Sequence, residues 1–394
     1  MIISILGMAG MNREKTETTT AYYDCDVLKK YSGEYHNATD MLLKNYNDSF
    51  YFLGTQKAIN FQKELLKYNA DRVEFIPIED NSLDDIFEKV FTLISKAKDT
   101  EKVILDITHG FRHQPISAIF SATLHKFLND SKLDIIFAKQ VKEFVSYEYI
   151  NLTEYVDMTQ LSLMLTGFIR TLNFVNTVNV ENLNTLAFEK FSKALLSNDF
   201  NGIESAYLNL SATLKIAKKN KKFDHLKELF EKVEETLKIF ETFNIKDIDE
   251  KYMVLANLMF NKNYYLIAIT YLFEAIRNYC TSSFHRKQII NNYAWNQFDI
   301  YGLNSDVMST ITQKEFGEKY RPTYYDKNFP NLYNNNKDAF EKIAKEYKKL
   351  KDLRNNLTHI NHKKTQDNIK GELYSLLKNM NRLMEDDILK ELKK

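Results

Sequence analysis

Along the first 150 residues, short apolar runs alternate with stretches whose apolar positions recur every three or four residues. Met1–Leu6 is a β-branched run that stops at Gly7-Met8-Ala9-Gly10, and Phe50–Leu53 is another that stops at Gly54-Thr55. Val73–Ile76, Val103–Ile107, Leu133–Phe137 and Phe144–Ile150 read as further strands. Thr16–Tyr23, rich in β-formers, predicts one arm of a hairpin. Between these runs, Ala38–Lys44, Gln56–Tyr68, Leu83–Lys96 and Pro115–Leu128 carry helical spacing. It is clearest in Leu83, Ile86, Phe87, Val90, Phe91 and Ile94. Repeated strand–helix alternation predicts a mostly parallel sheet with helices on both faces, a Rossmann-like α/β domain.

After about residue 155 the alternation ends. Long helical patterns follow at Met158–Val178, Val180–Leu196, Ile203–Lys219, Phe223–Phe243, Glu250–Phe260 and Tyr264–Cys280. Residues 317–336 hold two of the four prolines and an Asn triplet, which predicts a long irregular connection. Two last helices are expected at Lys337–Leu357 and Thr365–Leu392. In the first of these, Phe340, Ile343, Tyr347, Leu350 and Leu357 form the stripe expected to face the core. The fold class is therefore α/β plus all-α, with the α/β part in residues 1–155 and the helical part in 156–394.

Composition narrows the setting without naming a function. Of 394 residues, 44% are hydrophobic and 27% charged, an ordinary globular profile. The net charge of +1 gives no whole-molecule attraction for nucleic acid, so any phosphate partner must be held by a local patch. The two cysteines, Cys25 and Cys280, form neither a disulfide framework nor a paired metal motif. The N-terminus lacks the basic segment of a signal peptide, and no apolar run reaches the roughly 18 residues of a membrane span. The expectation is a cytoplasmic protein without a membrane partner.

The richest chemistry lies in Leu105–His113, L-D-I-T-H-G-F-R-H, between a predicted strand and a predicted helix. An open α/β sheet binds ligands beyond the carboxyl ends of its strands, and backbone N–H groups at a helix start favour an anion. Candidate ligand-binding residues here are Asp106, Thr108, His109, Gly110, Arg112 and His113. Two more strand ends fall on the same edge: Gly7, Met8, Ala9 and Gly10, and Thr55 with Gln56. Other readings remain open. Asp106 could cap a turn, Gly110 could take a positive φ and the histidines could bond locally. Asp106, His109 and His113 could also bind a metal, although H-E-x-x-H is absent. No complete G-x-G-x-x-G supports a dinucleotide enzyme.

A second candidate is K-D-L-R-N-N-L-T-H, in which Arg354 and His359 flank four residues that include Asn355 and Asn356. Arginine offers a permanent charge and a planar donor fork for phosphate oxygens, while histidine exchanges protons near neutral pH. Together they could cleave RNA without a metal. The substrate's 2′-OH would attack, His359 would move protons and Arg354 would stabilise the phosphorane; DNA, lacking that hydroxyl, would be spared. From Lys342 to Lys364, eight Lys or Arg stand against Glu346 and Asp352, which permits a phosphate partner. A solvated helix end would carry the same residues.

Leu105–Gly110 resembles the D-x-T-H-G signature of CRISPR-associated proteins, extended by Phe111, Arg112, His113, Gln114 and Pro115. Arg354–His359 resembles the R-x4-6-H motif of HEPN ribonucleases. In that order, on a Rossmann-like half and a helical half, they resemble the CARF–HEPN effectors of type III CRISPR systems. The resemblance implies a homodimer or higher homo-oligomer that senses a cyclic oligoadenylate, the tetra-adenylate being expected. The Gly7–Gly10 loop, Thr55-Gln56 and Asp106–His113 would hold the ligand. Arg354, Asn355 and His359 would form the nuclease site on single-stranded RNA, with no cofactor. A non-catalytic nucleotide sensor signalling through its helices is the alternative.

Overall fold

The computed structural model describes all residues except 12–16, 81, 98–101, 130–131, 176–179, 181, 291–294, 297–298, 313–328, 359–365 and 393–394. Its strands are β1 (Ile2–Ile5), β2 (Ala21–Asp24), β3 (Gly33–Tyr35), β4 (Phe50–Gly54), β5 (Val73–Pro77), β6 (Val103–Asp106), β7 (Leu133–Lys142) and β8 (Ser146–Asn151). They form one sheet in the order β3-β2-β8-β7-β6-β1-β4-β5. Every neighbouring pair is parallel except β2–β3 and β7–β8.

Both faces of this sheet are covered, which is why its central strands read as unbroken apolar runs rather than alternations. Successive residues point to opposite faces. Ile3, Ile5, Leu53, Val103 and Leu105 pack with Ile86, Val90, Leu93 and Ile94 of α3 (Leu83–Lys96) and Ala118 and Ala122 of α4 (His113–Leu128). Ile2, Phe50, Phe52 and Ile104 pack with Met41 and Leu42 of α1 (Ala38–Asn45) and Ala58 and Ile59 of α2 (Gln56–Leu65). Each such large side chain removed from water contributes about 1.5–3 kcal/mol, so the central strands are fixed in place by their two cores.

The Thr-rich hairpin arm is shorter than expected. Its strand begins at Ala21 and pairs antiparallel with Gly33–Tyr35, while its other edge runs parallel to β8. Thr18 instead bridges Met11, and the Thr19 N–H donates to the Gly10 carbonyl at 2.9 Å. Thr16 lies outside the described residues.

Past β8, every described element is helical: α5 (Thr153–Thr171), α6 (Thr185–Leu196), α7 (Phe200–Ala217), α8 (Lys227–Leu237), α9 (Ile248–Asn261), α10 (Tyr265–Arg286), α11 (Ile300–Ile311), α12 (Phe329–Asn335), α13 (Lys337–Thr358) and α14 (Gln366–Glu385), with short 3-10 turns. The expected helix through Val178 ends early, because Leu172 takes a φ of +59°. Within the expected irregular connection, Phe329–Asn335 is helical, and residues 313–328 lie outside the described ones. Among the described residues, no helix is long and apolar enough to cross a membrane.

The chain divides into two compact units. The first holds the sheet and its covering helices, extended by Asn173–Lys193 and Asn209–Phe230. There Phe168, Phe174, Phe188 and Phe191 form an aromatic core of their own. The second comprises Ile169–Leu172, Ala194–Leu208 and Glu231–Lys394. Its centre is α10, buried along nearly its whole length and packed against α9, α11, α13 and α14.

Candidate functional site

From β1 the chain first crosses to β2 and β3 at the far edge, then adds β4 and β5 on one side of β1 and returns to place β6 and β7 on its other side. Strand order therefore reverses between β1 and β6, the place where an open α/β sheet takes ligands beyond the carboxyl ends of its strands. The loops after these two strands come into close contact. A Cβ on Gly7 would sit 3.0 Å from the His109 Cβ and 3.3 Å from the Gly110 nitrogen, so any side chain there would push the loops apart. Gly110 has a φ of +100°, and a Cβ on it would lie 2.6 Å from Ile5 Cγ2. Both the backbone angle and the space demand glycine.

Two buried amides hold the first loop from beneath. Asn37 Nδ2 donates to the Ala9 carbonyl at 2.8 Å and to Gln62 Oε1 at 3.0 Å, and Gln62 Nε2 donates to the Gly7 carbonyl at 2.6 Å. Asn37 also caps α1, its Oδ1 accepting from the Asp40 N–H at 2.9 Å. The carbonyls of Gly7, Ala9 and Gly10 are thus engaged. Among the described residues, the N–H groups of Met8, Ala9 and Gly10 meet no protein acceptor. Successive donors left unengaged in one loop suit an anion.

The second loop is pinned by its acid. Asp106 is fully buried; Ser4 Oγ donates to its Oδ2 at 2.7 Å, and Thr108 donates to its Oδ1 through both hydroxyl and N–H. Thr108 Oγ1 in turn accepts from the Ala138 N–H at 2.9 Å, so one hydroxyl joins β6 to β7. Burial pushes the Asp106 pKa up to about 6, with the Thr108 and Ser4 hydrogen bonds opposing it. The structure thus makes Asp106 an internal brace, not a group facing a ligand.

His109 is half-buried, and desolvation pushes its pKa down to about 4. Its Nε2 accepts from the Ala38 N–H at 3.4 Å, the role of a neutral ring protonated on Nδ1. Thr55 is buried and caps α2 by accepting from the Ala58 N–H, whereas Gln56 is exposed and donates to Asn60. Met8 and Arg112 are exposed on the rim. His113 begins α4, with Nε2 2.9 Å from the Asp80 carbonyl and its ring stacked on Phe111. The metal reading of Asp106, His109 and His113 finds no support, since each is committed to a different partner. Among the described residues, no three His, Cys, Asp or Glu side chains gather as a metal set.

The second unit assembles a different cluster. The Arg354 guanidinium carbon lies 4.5 Å over the Phe273 ring, which also stacks on Tyr347 at 5.1 Å. Arg277, 4% exposed, lies 5.2 Å from the same ring and 4.7 Å over Tyr301. Its Nη1 pairs with Glu274 at 3.0 Å and its Nη2 donates to the Tyr301 carbonyl at 3.3 Å. Burial raises the Tyr347 pKa to about 12, keeping that hydroxyl protonated. On α13, Phe340, Ile343, Leu350 and Leu353 are buried, while Tyr347, Arg354, Asn355 and Leu357 are half-buried. The expected stripe thus weakens toward the end that carries Arg354. His359 lies outside the described residues.

Asn37, Gln62, Phe273 and Tyr301 were not singled out from the sequence. Gln62 offered one signal, as a polar residue three and four positions after Ile59 and Ala58 on an apolar helix stripe. The others carry no mark of spacing, because their roles depend on which elements pack together.

No family model matches the chain, and no curated protein matches it. Among solved structures, the chain is similar to Enterococcus italicus Csm6 bound to cyclic hexa-2′-fluoro-hexa-dAMP, at 10% identity and a TM-score of 0.40, covering 99% of this chain and 95% of that one. At that level of likeness, the functional reading has to come from the chain's own residues.

Proposed function

We propose that this chain is a cyclic oligoadenylate-activated, metal-independent endoribonuclease of the CARF–HEPN kind, acting in type III CRISPR antiviral defence. Residues 1–155 sense the ligand and residues 156–394 cut single-stranded RNA. The observation that carries the reading is the glycine-tight meeting of the Gly7–Gly10 and Asp106–His113 loops at the switch point between β1 and β6. A phosphate-bearing ring would find unengaged N–H donors there, with Arg112 on the rim and a neutral His109 beside it. Asp106, Thr108 and Thr55 act through the loops they hold. Gln56 and His113 flank the ligand.

A homodimer fits this reading. Ile116, Phe120, Leu124 and Leu128 leave an exposed ridge along α4, which begins at the ligand loop. Ridges of this i, i+4 kind pack well against their own two-fold copies, and a second copy would bring a second Arg112 to the ligand. In the helical unit, the 2′-OH of the substrate attacks the adjacent phosphorus and the 5′-oxygen leaves. His359 moves the protons, Arg354 stabilises the charged phosphorane and Asn355 orients the phosphate.

The test is a fluorescent RNA reporter with a panel of cyclic oligoadenylates of different ring size, with and without EDTA. Cleavage that needs one of these rings and survives EDTA is the expected result. Ring binding without any cleavage leaves only the sensor half of the reading, and cleavage lost with EDTA overturns the mechanism.

A further inference from the structure

Tyr301 stands out in the second unit because its ring is both exposed and held. The residue is 65% exposed, near the start of α11, yet one face of the ring is covered by the Arg277 guanidinium at 4.7 Å. Arg277 also takes the Tyr301 backbone carbonyl through Nη2, so ring and backbone are fixed by the same side chain. Solvent therefore reaches the ring from its other face and its edge. Exposed tyrosines on helices usually rotate freely; this one is braced.

The brace is costly in its own terms. Arg277 is 4% exposed, its carboxylate partner Glu274 is partly exposed, and among the described residues its buried Nε meets no hydrogen-bond partner. A buried donor without an acceptor is destabilising, since it gives up its hydrogen bond to water and gains none in return. A surface tyrosine with no task would not need such support. Through Phe273, the brace is continuous with Arg354, since both guanidiniums lie over or beside that one ring. A flat, prepositioned aromatic face thus belongs to the same cluster as the cation assigned to the scissile phosphate.

We propose that Tyr301 is a nucleobase platform of the RNA site: a base flanking the phosphate held by Arg354 stacks on its free face. This rests on the ribonuclease reading above. Single-stranded RNA is commonly held by bases stacking on aromatic rings, a contact tolerant of base identity. Arg277 is then a positioning residue, because it acts through the ring and not on the RNA.

The experiment uses the full chain with its activating ring and a short RNA carrying 2-aminopurine, in cleavable and 2′-O-methyl forms. Stacking on Tyr301 quenches the probe in the uncleavable RNA bound to the wild type. Tyr301→Ala relieves the quenching and raises KM about 10-fold or more with kcat largely kept, while Tyr301→Phe and Tyr301→Trp restore both. Equal quenching and equal KM in the Ala variant overturn the platform while leaving the ribonuclease standing. A wild type that binds the ring but cleaves no RNA overturns the ribonuclease reading itself, and the platform with it.

Discussion

At the sheet edge, position is set by backbone: two glycine loops in van der Waals contact, held from beneath by the neutral amides of Asn37 and Gln62, with one neutral histidine beside them. In the helical unit, position is set by side chains: two guanidiniums and three aromatic rings gathered on α10, α11 and α13. Bare backbone can approach a ligand closely and donates without carrying charge. Guanidiniums supply charge but need rings and carboxylates to hold them still. A centre that recognises a large phosphate ring suits the first construction, and a centre that stabilises a transient phosphorane suits the second.

The difference is sharpest in cleavage. Arg354→Ala or His359→Ala is expected to lower RNA cleavage at least about 10³-fold while leaving ring binding unchanged, as read by reporter assay and calorimetry. Retained cleavage in both would remove chemistry from the helical unit.

The next effect belongs to the sheet edge alone and appears in pH dependence. Asp106 has its folded pKa raised to about 6, so its contribution is full below the unfolded value and is lost as pH rises from about 4 to 6. His109 has its folded pKa lowered to about 4, so its contribution is present above about 6.5 and is lost as pH falls toward 4. Each is worth up to roughly 3 kcal/mol, and the two slopes oppose one another. Relative to wild type, Asp106→Asn should make stability climb from pH 4 to 6.5, and His109→Gln should make it fall. Urea unfolding across that range reads both; parallel curves for all three proteins would contradict the burial of these groups.

A smaller loss is expected from Gly110→Ala, which places a Cβ at a φ of +100° and 2.6 Å from Ile5. About 2–3 kcal/mol of stability should go, with a matching rise in the ring concentration needed for half activation. Unchanged urea midpoints would mean that the loop relaxes freely. Smallest of all is Arg112→Ala, an exposed cation. Its stability should stay within about 0.5 kcal/mol of wild type while ring affinity falls about 10-fold. Equal affinity would take Arg112 out of the site.

Much of the sheet edge was legible because strand ends announce themselves: an apolar run stops and a glycine follows within a few residues. Gly7, Gly54 and Gly110 mark three such stops. The sequence did not reveal that Asp106 faces inward, because a buried acid bonded to Ser4 and an exposed acid awaiting a ligand are the same letter in the same motif. In the helical half, Leu172 ended a helix that apolar spacing alone would continue. The Arg277–Tyr301 brace was hidden for a simpler reason, since its members lie 24 positions apart on two helices.

What the chain's own pattern determined is local: which segments extend, which coil and where glycine must stand, all set by periodicity and backbone freedom over a few residues. The tertiary structure decided which segments became neighbours, and through that which polar groups lost water. β6 returned to the side of β1 opposite β4, bringing Gly7 against His109. Packing of α11 and α13 on α10 put Tyr301 and Arg354 around Phe273. Burial and contact depend on distant parts of the chain meeting, so the chemistry of both centres was settled only when the chain folded.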